Sequence, residues 1–186
     1  LGEEAISTFE KDQHKDKKVD YIMANPPFNL KKWRDDDGLL NDPRWKGYPT
    51  PPVSNANYAW ILHMLSKLDV NHGVAGFLLA NGALNADGDE GAIRQKILEN
   101  DKVEAIIVLP RDMFYTTDIS VTLWILNMNK GPGEKAGRKL RDRRGEVLFV
   151  DLRTWDENIE KYTYEKKQEQ EEDLSLIHIS EPTRRS

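Results

Sequence analysis

Apolar residues fall into short runs along the chain, and their spacing changes from one run to the next. Residues 19–24, 73–80, 103–109, 121–127 and 147–150 are apolar blocks of strand length bounded by Gly, Pro, Asn or Asp, the pattern of buried strands. Between the first two blocks, Tyr58, Ile61, Leu62, Leu65 and Leu68 recur every three or four residues, with Asn55 or Asn57 placed to cap a helix. Ile93, Ile97 and Leu98 mark a second helix with Asp87 or Asp89 as its cap. Alternating strands and helices predict an α/β fold, a mainly parallel sheet with helices on its faces. No helical pattern separates the third strand from the fourth, so those two are expected to be antiparallel neighbours. Residues 29–55 break the alternation. Gly38, Pro43, Gly47, Pro49, Pro51 and Pro52 and many charges make a loop long enough to be either functional or disordered.

Composition narrows the possibilities. A chain of 186 residues is one domain or part of a larger one. It contains no Cys, which excludes a disulfide-held secreted fold, a thiolate zinc site and a thiolate nucleophile. No stretch approaches membrane-spanning length and no signal peptide is visible, so the chain reads as cytoplasmic with no membrane partner. The net charge of −5 discourages a polyanionic partner until its distribution is considered. Residues 156–173 carry eight acidic side chains against three Lys, a local −5, so the remainder is neutral. Within that remainder, residues 130–144 hold seven cations against Glu134 and Asp142. A solvated basic loop and a phosphate-facing patch both fit that segment.

The strongest chemical signal follows the first strand directly. Asn25-Pro26-Pro27-Phe28 closes the apolar run at 19–24. Two prolines fix φ and remove two donors, which leaves a stiff segment that presents carbonyls. The Asn25 side-chain oxygen and the Pro26 carbonyl can both accept from a primary amine. They would draw its delocalised lone pair toward a tetrahedral form that attacks a methyl donor. Phe28 supplies a stacking face, the grip expected for a base taken out of a duplex. A strand-ending turn is the plain alternative. Asn25 and Asn81 are both expected at the carboxyl ends of strands, where open α/β sheets bind ligands. Lys31, Lys32, Trp33 and Arg34 follow the motif and are candidates for contact with phosphate or base, although Asp35, Asp36 and Asp37 suit an ordinary solvated loop equally. His63 has no second ligand at metal spacing and reads as structural, so no metal is expected. Tyr58 and Trp60 read as core or interface. Phe114 and Tyr115 read as packing residues.

These stretches together resemble a known family. Residues 19–29, Asn55-Ala56-Asn57-Tyr58-Ala59-Trp60 with His63-Met64, residues 79–84, residues 90–94, Ile107-Val108-Leu109-Pro110 and Met113-Phe114-Tyr115 are similar, in order, to the modification subunit of type I restriction–modification systems, a DNA adenine-N6 methyltransferase. The resemblance covers residues 15–155. It implies the C-terminal half of a Rossmann-like methyltransferase sheet, whose parallel strands end in an antiparallel hairpin. It also implies S-adenosylmethionine as methyl donor, DNA as substrate, and a specificity subunit and a restriction subunit as partners. Asn25 and Pro26 would orient the amine, Pro27 would hold the geometry, Phe28 would stack on adenine, and Asn25 would also face the cofactor. No strand followed by a Gly-rich loop is visible. Gly131-Pro132-Gly133 lies between strands and reads as a flexible turn. Residues 1–155 are therefore expected to be a partial catalytic domain lacking the main cofactor loop, and Leu1 fits a chain whose beginning lies elsewhere. Such a fragment is expected to be inactive alone. Residues 156–175 are expected to be a charged helical extension, and residues 176–186 a non-native or disordered tail. An RNA amine or a protein Gln amide as acceptor, or a non-catalytic fragment that only packs on partners, are the competing readings.

Overall fold

A computed structural model describes residues 9–110, 119–135 and 137–154. The elements run β1 Tyr21–Ala24, α1 Asn57–Lys67, β2 Val74–Ala80, α2 Gly88–Glu99, β3 Val103–Val108, β4 Val121–Asn127, β5 Gly133–Lys135, β6 Arg138–Leu140 and β7 Leu148–Asp151. Short 3-10 turns at Pro43–Trp45 and Asn81–Asn85 complete them. Five strands form one sheet in the order β1-β2-β4-β3-β7. β1 runs parallel to β2, and β7 parallel to β3. β4 lies between β2 and β3, antiparallel to both. β3 and β4 are thus the antiparallel pair expected of two strands with no helical sequence pattern between them, and the chain adopts the mixed α/β arrangement expected of it.

Each apolar block became a strand whose ends lie within two residues of the block's own. Val19, ahead of β1, makes an isolated bridge to Leu68 at the end of α1, with its N–H donating to the Lys67 carbonyl. Of the candidate caps, Asn55 reaches the first turn of α1, its Oδ1 accepting from the Asn57 N–H, whereas Asp87 makes no such bond. Ala56 occupies the N-cap of α1, and Asp87 the N-cap of α2 without a side-chain bond.

The core lies on one face of the sheet. Tyr58, Ile61, Leu62 and Leu65 of α1 and Ile93 and Ile97 of α2 join Phe77, Leu79, Trp124 and Leu126 in one buried cluster. Period-two alternation sends Tyr21 and Met23 to the opposite face with Gly76, Leu78, Leu123 and Ile125. Both described α-helices pack against the Phe77 and Trp124 face. Met23 is consequently 93% exposed and Tyr21 61%.

The long loop after β1 is ordered around aromatic rings. Trp33 is buried, with its ring 4.6 Å from Phe9 and edge-on to Trp45 at 5.9 Å. The Arg44 guanidinium lies 4.9 Å from the Trp45 ring centre and is forked onto Asp42. The basic segment carries the β5–β6 hairpin, where sequence reading expects only a turn. Its positive charges are largely spent within the chain. Arg143 pairs with Glu104, Arg141 with Glu146 and Arg144 with Asp142. Lys130 is buried and donates to Asp101 and to the carbonyls of Val103 and Glu146. Met113, Phe114, Tyr115 and everything after Thr154 lie outside the described residues.

Candidate active site

Parallel pairing of β1 with β2 brings their carboxyl ends to the same rim of the sheet, with Ala24 opposite Phe77. Asn25 leaves that rim exposed. Pro26 is buried, Pro27 exposed and Phe28 half-buried. On the neighbouring strand, which continues three residues past the partner of Ala24, Asn81 follows Ala80, about 10 Å further along the strand direction than Asn25. The Asn81 backbone N–H donates to Ser120, while its Oδ1 is buried and finds no partner among the described residues. The turn after Asn81 is braced from below. Tyr58 Oη donates to the Ala83 carbonyl at 2.8 Å, and Arg94 Nη1 to the Ala86 carbonyl at 2.8 Å.

The exit of the motif is tied to the start of α1. Asn29 has φ +53, and its backbone N–H donates to Asn57 Oδ1 at 3.0 Å. Asn57 Nδ2 returns a bond to Asn29 Oδ1 at 2.9 Å, and Asn55 Nδ2 reaches the same oxygen at 3.3 Å. Asn55 Oδ1 accepts from the Asn57 N–H, and Ala56 N–H donates to the Leu30 carbonyl. Asn55 and Asn57 were legible in the sequence only as candidate helix caps. Asn55 also makes the local cap, but the bonds of both Nδ2 groups go to Asn29, 26 and 28 residues away, beyond what local spacing reveals.

The four residues after Asn29 and Leu30 separate into two pairs. Lys31 and Lys32 are exposed at the mouth of the loop. Trp33 is only 5% exposed, with Nε1 donating to the Pro52 carbonyl. Arg34 spends its guanidinium on the carbonyls of Asp35, Asp36, Gly38 and Pro51. In this structure Trp33 is a packing residue and Arg34 a loop organiser, because the segment folds back onto Pro51 and Pro52 instead of extending into solvent.

His63 is half-buried on α1, with Nδ1 3.3 Å from Arg44 Nη1. The guanidinium can only donate, so Nδ1 accepts and the ring is neutral. Burial, reinforced by the Arg44 charge, pushes the imidazole down to about 4. Among the described residues, no group of three or more His, Asp or Glu is arranged to hold a metal, and no helix is long and apolar enough to cross a membrane.

The family model described as N-6 DNA Methylase matches residues 3–180. This chain belongs to that family. It is 44% identical over 154 residues to the type I restriction enzyme HindI methylase subunit of Haemophilus influenzae, covering 82% of this chain and 32% of the relative. It is 39% identical over 150 residues to the MjaIX methylase subunit of Methanocaldococcus jannaschii, covering 78% and 25%. The chain therefore spans about a third or less of the length of these relatives. Among solved structures, the type I restriction–modification methyltransferase subunit of Streptococcus thermophilus superposes with a TM-score of 0.62 at 27% identity, over 73% of this chain and 32% of that one. A modification subunit of a putative type I restriction enzyme from Vibrio vulnificus shares the fold, with a TM-score of 0.55 at 23% identity over 90% of this chain.

Proposed function

We propose that this member of the N-6 DNA methylase family carries the amine-acceptor part of a DNA adenine-N6 methyltransferase working within a type I restriction–modification complex in the cytoplasm. The observation that carries the reading is Asn25-Pro26-Pro27-Phe28 leaving β1 at the carboxyl end of the parallel β1–β2 pair. Asn25 Oδ1 and the Pro26 carbonyl accept from the exocyclic amine and localise its lone pair. Pro27 keeps the carbonyls in place, and Phe28, half-buried and therefore braced, offers a face to the extruded base. Lys31 and Lys32 are the exposed cations nearest in sequence to the motif and fit phosphate contact.

S-adenosylmethionine, when bound, supplies an electrophilic methyl group. The residues present suit it in part: Asn25 has an exposed side chain at the rim, whereas the described residues hold no strand leading into a Gly-rich loop and helix. A main cofactor loop outside these 186 residues belongs to the same proposal. So do a specificity subunit that reads the DNA, a restriction subunit, and a catalytic segment ending near residue 155. The kinship with type I methylase subunits favours DNA over an RNA amine or a protein Gln amide as acceptor.

Labelled methyl transfer to DNA tests the reading. The chain assembled with the other subunits of its system forms N6-methyladenine, and Asn25→Ala lowers kcat by about 10²–10³-fold, the usual cost of losing one group that meets the developing charge. The isolated chain is expected to transfer none. Absence of N6-methyladenine from the complete assembly would sink the proposal.

A further inference from the structure

The structure ties the acceptor turn down at one place outside the motif itself. Asn57 is 1% exposed at the first turn of α1, yet neither polar atom of its side chain serves the helix. Both face Asn29, the residue immediately after Phe28. A backbone N–H can only donate, so the Asn29 amide fixes Oδ1 of Asn57 as its acceptor, and Nδ2 must then point at Asn29 Oδ1. Asn55 Nδ2 donates to that same oxygen. The side chain of Asn29 therefore acts only as an acceptor, and that of Asn57 acts as both acceptor and donor. Asn29 also holds φ +53, the left-handed turn conformation that Asn tolerates better than most L-residues. The motif is thus fixed at one end by the β1–β2 ladder and at the other by this amide pair.

We infer that Asn57 is a positioning residue for the acceptor site: through Asn29 it holds the Asn25–Phe28 turn in the conformation that presents its acceptors and ring to the amine. The inference rests on the methyltransferase reading above for its catalytic meaning, and on geometry alone for the clamp. Its signature is an asymmetry between two isosteric changes. Asn29→Asp keeps an acceptor where two amides donate, so it preserves the clamp. Asn57→Asp turns an acceptor toward the Asn29 oxygen and puts a carboxylate in a buried place, so it breaks the clamp. Asn57→Ser removes both bonds without adding charge and separates the loss of the clamp from the cost of a buried anion.

Amide hydrogen exchange on the 186-residue chain, with methyl transfer measured in the assembled complex, tests this. The amide of residue 29 should exchange at least tenfold faster in Asn57→Asp and Asn57→Ser and stay within about threefold of wild type in Asn29→Asp. Amides of β2 and β4 should be unchanged in all three, reporting an intact sheet. In the complex, both Asn57 variants should lower kcat at least tenfold with KM for DNA unchanged, and the Asn29→Asp variant should retain most of the wild-type rate. Equal exchange in the two Asp variants overturns the clamp. Lost protection with an unchanged kcat overturns the positioning role. A wild-type complex that transfers no methyl group removes the methyltransferase reading and the catalytic meaning of the clamp with it, while the exchange asymmetry in the same chain shows which of the two failed.

Discussion

His63 shows how a single side chain in this protein is set by neighbours far away in sequence. On α1 it meets Arg44 from the loop, and burial followed by the Arg44 charge lowers it from 6.5 to about 4. Between those values the unfolded chain binds a proton that the folded chain does not. Its contribution to stability is therefore complete above about pH 6.5 and is lost progressively as the pH falls toward 4. Discounted for partial solvent access, the loss is on the order of 1 kcal/mol. Thermal unfolding at pH 7 and pH 4.5 should show a smaller drop in His63→Gln than in wild type, and equal drops would exclude the effect. The sequence marks His63 as structural, since no metal-spaced partner accompanies it. The depth of its burial depends on Arg44 and Phe9, neither of which its own helix periodicity can predict.

At the scale of elements, the turn into β2 leaves no room for a side chain at Gly73. A Cβ on Gly73 would lie 2.6 Å from the Asp69 carbonyl oxygen and 2.8 Å from both the Asp69 nitrogen and Leu68 Cβ. Two of these atoms are backbone, so the chain itself would have to shift. The Gly73 carbonyl also accepts from Met128, which joins the entrance of β2 to the exit of β4. Gly73→Ala should cost about 2–3 kcal/mol in chemical denaturation, and a change below about 0.5 kcal/mol would show that the turn relaxes freely. Strands were the most legible elements, because continuous apolar blocks between turn residues have few other uses. The β5–β6 hairpin was not legible. Its residues are polar and charged, and it is three residues long on each side, so no alternation betrays it. Residues 29–55 were similarly opaque, since Trp33 and Trp45 have no periodicity and find their places only against Phe9 and α1.

For the whole molecule, the consequential asymmetry is between the two faces of the sheet. One face carries both described helices and the core. The other shows Met23, with Leu78, Leu123 and Ile125 only partly covered. Continuous exposed apolar area of this kind attracts partners or dyes. An apolar-surface dye should bind the isolated chain, and Met23→Lys should weaken that binding while changing stability by less than about 0.5 kcal/mol. Unchanged dye binding would place the accessible apolar surface elsewhere.

Residue order alone was enough for the class of fold, the succession of its main strands and helices, the antiparallel pairing of β3 with β4 and the place of Asn25-Pro26-Pro27-Phe28 at a strand end. All of these follow from local periodicity and turn chemistry, which act over a few residues. Tertiary structure decided which polar groups meet. It buried Trp33, spent Arg34 on loop carbonyls, neutralised most of the basic segment within the chain and paired Asn57 with Asn29. Those outcomes depend on contacts between segments tens of residues apart, whose geometry exists only once the sheet has brought the strand ends and loops together.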